Sequence, residues 1–234
     1  TCKKNEIKQV KNFIDKNWKK NHILAQDNNL IEWLYSNKKG LNFFLAKKNE
    51  KIIGILGFIK NSNYDNDIKI DKIWLALWLV DKKEASPGIG LLMLRKLESK
   101  FVKYDVGVVG INSAHPPIYS AINFTTDKLK HYFMVNPEKK DFNIFQVKDS
   151  KNIPFPIIEK GIIKHIELNE KSILLKKKIS KDNNKTPKFF LNKYLKNPFY
   201  KYTIYHLQST KHLNAIMVMR KIKIKKCAVI RIID

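Results

Sequence analysis

The 234 residues are 44% hydrophobic and 11% aromatic, enough apolar side chain to build a sizeable core, which excludes an extended disordered chain. The formal net charge is +25, yet only three of the 46 basic residues are Arg, so the charge describes a Lys-covered surface rather than a phosphate-reading nucleic-acid face, and argues against a nucleic-acid partner. Cys2 and Cys227 have no paired spacing and no accompanying His cluster, which excludes a disulfide framework and a zinc cluster and points to a reducing, cytoplasmic setting.

No apolar run reaches the ~18 residues that a spanning helix needs. The chain begins at Thr1 rather than Met, as a trimmed chain would.

From the N-terminus, Ile7, Val10, Ile14 and Trp18 recur at three- and four-residue spacing and predict an amphipathic helix over residues 5–20. Asp27 is placed to cap a second helix carrying Leu30, Ile31, Leu34 and Tyr35, with Gly40 as its stop. Residues 42–46 and 52–59 are apolar runs joined by a polar link, a hairpin signal, and Gly54 and Gly57 permit close approach. The polar residues 61–67 read as a loop.

The organising stretch is 71–101. An apolar run rich in Trp, Leu and Val ends at Val80, the loop contains Ser86-Pro87-Gly88-Ile89-Gly90, and apolar residues then recur at helical spacing through Leu91, Leu94, Leu97 and Phe101. Strand, glycine turn and helix N-terminus together aim unpaired backbone N–H groups and the positive end of the helix dipole at one point, where an anion such as a pyrophosphate fits. Strict alternation places Trp74 and Trp78 on the strand face of Val80, where they either stack on a sugar ring or fill the core.

Residues 106–111 predict a buried strand, His115-Pro116-Pro117 opens a short helix with Tyr119, and residues 131–135 predict another strand. Asn136-Pro137-Glu138 marks a boundary, giving domains over 1–137 and 138–234, the second shorter and more basic. In it, residues 155–168 and 173–175 read as strands, 181–186 as a polar linker, 187–195 as a helix, and 200–207, 212–224 and 228–233 as strands. The closing Ile232-Ile233-Asp234 either pairs back into the sheet or marks a truncated end.

These pieces resemble the GNAT superfamily of acyltransferases. The resemblance lies in Val80 followed by Ala85-Ser86-Pro87-Gly88-Ile89-Gly90, in a following strand that ends near Asn112, and in a helix with Tyr119 that closes on Asn123-Phe124. It implies an α/β (α+β) fold with a mixed central sheet flanked by helices, plus a smaller strand-rich C-terminal domain that weakly resembles a second, incomplete unit of the same kind and offers a cover for the acceptor site or an interface for an oligomer. It further implies acetyl-CoA as acyl donor and no metal. Ser86, Gly88, Ile89 and Gly90 would hold the pyrophosphate, Leu79 and Val80 would pair with the pantetheine arm, and Asn112 would belong to the same cofactor site.

Tyr119 would protonate the departing thiolate, against the alternative of a helix residue with a satisfied hydroxyl. Asp71, Asp81, His22 and His115 are the candidates for a general base, with Asp71 placed at the start of the long strand. Trp74 and Trp78 are the candidate acceptor contacts. The expected reaction is acetylation of a primary amine on a small acceptor, an amino sugar or nucleotide-linked amino sugar as in surface-polysaccharide biosynthesis; the alternative is a degenerate module that binds CoA or a nucleotide without turnover. Two departures from the superfamily's pattern stand out: Ala85 replaces the usual Arg or Gln, and Ala76 and Leu77 stand where many relatives carry a carboxylate.

Overall fold

Near-continuous apolar runs and their turn punctuation build the N-terminal sheet. A computed structural model describes residues 1–68, 71–130, 132–135, 163–175, 185–209, 214–224 and 227–234. It divides into two units, Thr1–Ile111 with Lys181–Phe189, and Asn112–Ser180 with Phe190–Asp234. The fold is mixed α/β, with helices and several sheets and a strand-rich C-terminal region.

The first unit opens with β1 (Cys2–Lys3), a 3-10 turn, and α1 (Ile7–Asn17), which buries Val10, Phe13 and Ile14. Trp18, expected on that buried stripe, lies just past the helix and is 48% exposed, its ring against His22. A single turn, α2 (Ile23–Gln26), precedes α3 (Asn28–Tyr35). Asp27 caps α3 as the sequence predicts, its carboxylate accepting from the Leu30 N–H at 3.0 Å. The helix ends at Tyr35, so Gly40 is not its stop. Gly40 instead lies in β3 (Gly40–Leu41), between β1 and β2 (Ser36–Asn37), where a methyl group would stand 2.2 Å from the Cys2 carbonyl oxygen. Burial pushes the Cys2 thiol up to about 11.

The main sheet has the order β4 (Phe43–Lys48), β5 (Lys51–Lys60), β6 (Lys72–Val80), β7 (Asp105–Val108); the first three are antiparallel neighbours, and β7 joins β6 in parallel after the crossover helix α4 (Ile89–Lys100). Phe58 opposes Leu75 and Gly57 opposes Leu77, so β6 carries one extra residue, Ala76. Directly opposed residues share a face, and the bulge therefore shifts the alternation of β6. Gly54, Leu56 and Phe58 face α4, with Gly54 against Met93 and Phe58 against Phe101. Their partners Val80, Trp78 and Leu75 share that face, whereas Trp74, paired with Ile59, falls on the opposite one with Gly57 and Phe43. The expectation that Trp74, Trp78 and Val80 line one face is thus corrected by a bulge that no Gly or Pro announces.

The polar stretch after β5 is pinned rather than loose. Ser62 donates to the Asp71 carboxylate through its N–H at 2.9 Å and through its hydroxyl, and Trp74 Nε1 donates to Asn61. Residues 186–189 clasp the next turn from far along the chain: Thr186 Oγ donates to Asp65 and Lys188 Nζ reaches Asp67 at 3.0 Å, each across 121 positions, Lys188 Nζ also lies 3.5 Å from Asp65, and Phe189 packs edge-on to Tyr64.

In the second unit α5 (Pro116–Ser120) carries Tyr119. Residues 132–135 form no regular element, contrary to the expected strand. Residue 131, the boundary at 136–138, residues 155–162 and most of the 181–186 linker lie outside the described residues. The sheet order is β11 (Cys227–Ile232), β10 (Asn214–Ile224), β9 (Thr203–Ser209), β8 (Ile163–Leu168), all antiparallel. Residues 173–175 are not a strand; Ile173 is buried on α6 (Glu170–Leu174). The predicted helix at 187–195 divides into α7 (Pro187–Phe190) and a π-helical turn at Leu191–Leu195. The chain end pairs back, Ile233 N–H donating to the Val218 carbonyl. Among the described residues no helix is long and apolar enough to cross a membrane.

The Asp65 clasp has a pH signature. Burial raises the Asp65 carboxyl, but the Thr186 hydroxyl, the Asp67 N–H and the Lys188 charge outweigh it, leaving it below its ordinary 3.8. A carboxyl depressed in the folded state contributes stability that is complete above 3.8 and lost as pH falls through the lower folded value. Asp65→Asn is expected to lower the melting temperature at pH 7 and to flatten its fall between pH 5 and pH 2; an unchanged slope would refute the clasp as an acid-sensitive element.

Candidate functional site

The candidate site forms where β6 runs into α4. β7 pairs with β6 only from Lys72 to Leu75, so beyond the bulge at Ala76 the two parallel strands part and, among the described residues, no strand pairs with that edge of β6 over residues 76–80. Unpaired strand edges present a row of backbone donors and acceptors. Leu79 and Val80, both half-buried, lie on this stretch.

Asp81 shapes the turn that follows. Its N–H donates to the Ile53 carbonyl at 2.9 Å, its carbonyl accepts from Ala85 at 3.0 Å, and its Oδ1 accepts from the N–H groups of Lys83 (3.0 Å) and Glu84 (3.3 Å). The Lys83 N–H and Glu84 N–H, with Lys16 at 3.6 Å, hold its carboxyl below the usual carboxylate range despite burial. The sequence marked Asp81 only as a candidate base; its position one residue past the strand, followed by polar residues, is the signal of an Asx turn.

Gly88 stands at the N-cap of α4 with φ +88, a left-handed conformation that side-chain-bearing residues adopt at a cost of about 1 kcal/mol, and no side chain caps the helix. A Cβ at Gly88 would meet nothing within 4 Å, so the space before the helix is open. Gly90 serves a different purpose: its Cβ would lie 3.0 Å from the Trp78 ring, so the glycine lets the first turn of α4 sit on Trp78. The Ile89 N–H is weakly engaged by Ser86 O at 3.4 Å, and Leu92 N–H closes the first helical bond to Gly88 O at 2.9 Å. First-turn donors and the dipole's positive end therefore face open space beside an unpaired strand edge.

Of the sequence candidates, the first unit brings together Trp78, Leu79, Val80, Ser86, Gly88, Ile89 and Gly90. It separates two others from them. Asp71 precedes the nine-residue β6, roughly 30 Å along the strand from the turn, and its carboxylate is engaged by Ser62 with Lys60 Nζ at 4.0 Å. Trp74 is on the opposite face against Gly107, its indole nitrogen bonded to Asn61.

Asn112 and Tyr119 belong to the second unit. The strand expected to reach residue 111 ends at Val108, and exposed Asn112 makes an Asx turn, its Oδ1 accepting from Ala114 N–H at 3.1 Å. Tyr119 is 2% exposed, packs edge-on to Phe124, and is pushed above its ordinary pKa by burial. His22 caps α2 through Nδ1, which accepts from the Leu24 N–H. Among the described residues no group of three His, Cys, Asp or Glu could hold a metal ion.

No family model matches the chain, and no curated protein matches it. Among the solved structures similar over part of it are two that follow. One, PH1933 from Pyrococcus horikoshii OT3, is 17% identical, covers 56% of this chain and 88% of its own, and superposes with a TM-score of 0.41. The other, an aminoglycoside acetyltransferase from an uncultured soil metagenomic sample, is 14% identical, covers 58% of this chain and 95% of its own, and gives a TM-score of 0.42.

Proposed function

We propose that the chain is an acyltransferase that uses acetyl-CoA to acetylate a primary amine of a small acceptor. The observation that carries this reading is the proximity of two backbone features: beyond Ala76 the edge of β6 is open, and after the Asp81 turn the uncapped start of α4, with Gly88 left-handed, packs on Trp78 of that same stretch. An extended amide-bearing arm suits the strand edge, and a pyrophosphate suits the helix terminus. Small residues at Ser86, Gly88 and Gly90 keep side chains from the space where the phosphates would approach backbone N–H groups.

When bound, acetyl-CoA supplies an activated thioester, so a free amine attacks without a nucleophilic side chain. On the open edge of β6 the Val80 N–H is assigned to the pantetheine arm or to the oxygen that gains charge, whereas the Leu79 N–H, in register with Ile55, points to β5. Tyr119 is assigned as proton donor to the departing thiolate; its phenol is protonated at neutral pH, and burial pushes its pKa further up from the ordinary 10. Asp71 is not the base of this proposal, since Ser62 donates twice to its carboxylate and Lys60 Nζ lies 4.0 Å from it. An amino sugar or nucleotide-linked amino sugar is the proposed acceptor, for which the cationic surface is suited. Apolar Ala76 and Leu77 favour the second reading, a module that binds CoA without turning it over.

Thiol release from acetyl-CoA with a panel of amino sugars, their nucleotide conjugates and other amines tests the reaction; CoA binding by calorimetry with no release across the panel would select the second reading. Tyr119→Phe is expected to lower kcat by about 100-fold while leaving CoA affinity unchanged, and a loss under threefold would remove Tyr119 as the acid. Gly88→Ala and Gly110→Ala both force a Cβ onto a positive φ in open space. Each is expected to lower the melting temperature by about 2–4 °C, whereas only Gly88→Ala weakens CoA binding, by about tenfold. Equal CoA affinity in the two variants would place the cofactor elsewhere.

A further inference from the structure

Nearly all the basic residues are Lys, and the chain's three Arg are Arg95, Arg220 and Arg231. Two of these three are direct partners across β10 and β11, Arg220 opposite Arg231. Side chains so paired share a sheet face with Cβ atoms about 5 Å apart, and like charges there repel. Among the described residues neither forms an ion pair that would offset this.

Arg220 is held in place by aromatics. Its guanidinium lies 3.8 Å from the centre of the Tyr200 ring, and its charge lies near enough to Tyr202 to favour that phenol's ionised form, against the burial that raises it. Tyr202 is edge-on to Tyr200 and to Tyr194, whose hydroxyl donates to the Asp234 carboxylate at 2.8 Å. Ile222 and Val229, the next pair on the same face, are half-buried and lower the local dielectric beside the two guanidinium groups. Arg231 is exposed, so the pair is open to solvent on one side.

We propose that Arg220 and Arg231 form a binding site for a dianionic phosphate group, distinct from the α4 turn and independent of the acyltransferase reading. Two planar forks match the oxygens of a phosphate bidentately, which two Lys in this Lys-rich chain would not, and two negative charges balance the facing pair. A carboxylate supplies one charge and one fork's worth of oxygens. The phosphate is carried by inorganic phosphate or by a phosphate monoester, and the site reads the group they share.

Because the chain has only three Arg, their side-chain Nε–Hε NMR signals test this directly in the full chain, with Arg220→Lys and Arg231→Lys giving the assignments. Titration with inorganic phosphate and with glycerol 3-phosphate is expected to move the Arg220 and Arg231 signals saturably and together while leaving Arg95 in place. Acetate should bind at least tenfold more weakly, and either Lys variant should lose at least tenfold in phosphate affinity. Tighter binding of glycerol 3-phosphate identifies an esterified phosphate as the source, and equal or tighter inorganic phosphate identifies the free ion. Arg231→Gln provides the second measurement: it is expected to raise the melting temperature in phosphate-free buffer by relieving repulsion, and to lose the stabilisation that phosphate gives the wild type. Non-saturating shifts, equal movement of Arg95, acetate binding as tight as phosphate, or a lowered melting temperature for Arg231→Gln in phosphate-free buffer would each overturn the site.

Discussion

The extra residue in β6 is the constraint on which the first unit depends. An antiparallel pair in strict register would keep Trp74, Trp78 and Val80 on one face. Inserting Ala76 between Leu75 and Leu77 turns the second half of the strand over, so that Ile73 and Leu75 face α4 before the bulge, and Trp78 and Val80 after it. Bulges also bend the strand and sharpen its twist. Here the bend coincides with the end of the parallel pairing between β6 and β7, so the residue that sets the side-chain faces also marks where a strand edge opens.

That geometry explains why the helix after the turn sits where it does. Once Trp78 faces α4, its ring crowds the place of a side chain at residue 90, where a Cβ would lie 3.0 Å from the indole, and glycine there lets the first helical turn rest on the ring. Met93 then reaches Gly54 on β5, and Phe101 at the far end meets Phe58 and Phe44. The helix is thus fixed along its length by apolar contacts, leaving its N-terminal donors to face open space. Rigid scaffold and unsatisfied terminus have the same cause.

The sequence revealed the elements whose signals are local. Asp27 as a cap, the hairpin across residues 49–50, the Pro-led helix at 116 and the strand, glycine turn and helix from 72 to 100 all follow from short-range chemistry and stand as expected. What stayed hidden is non-local. Ala76 carries no mark of a bulge, because the register is decided by β5. The Thr186–Lys188 clasp joins positions 121 residues apart, and the facing of Arg220 and Arg231 requires the β10–β11 register. Asp71 reads in sequence as an available acid only because Ser62, nine residues earlier, is not visibly its partner.

The three buried carboxylates of the described chain, Asp65, Asp71 and Asp81, point to one economy. Each accepts from backbone N–H groups of a turn and lies near a Lys: Asp65 holds Asp67 N–H and Lys188, Asp71 holds Ser62 and Lys60, Asp81 holds Lys83, Glu84 and Lys16. A buried carboxylate unpaired would cost several kcal/mol, and these are held by satisfying the donors that irregular backbone leaves open. In a chain of net charge +25 the scarce acids are therefore spent on shaping loops. An acid so engaged is a poor proton acceptor, since accepting a proton would break the hydrogen bonds that favour its ionised form. The proposed chemistry accordingly rests on backbone donors, an activated acyl donor and a phenol that is protonated at neutral pH, none of which requires a carboxylate.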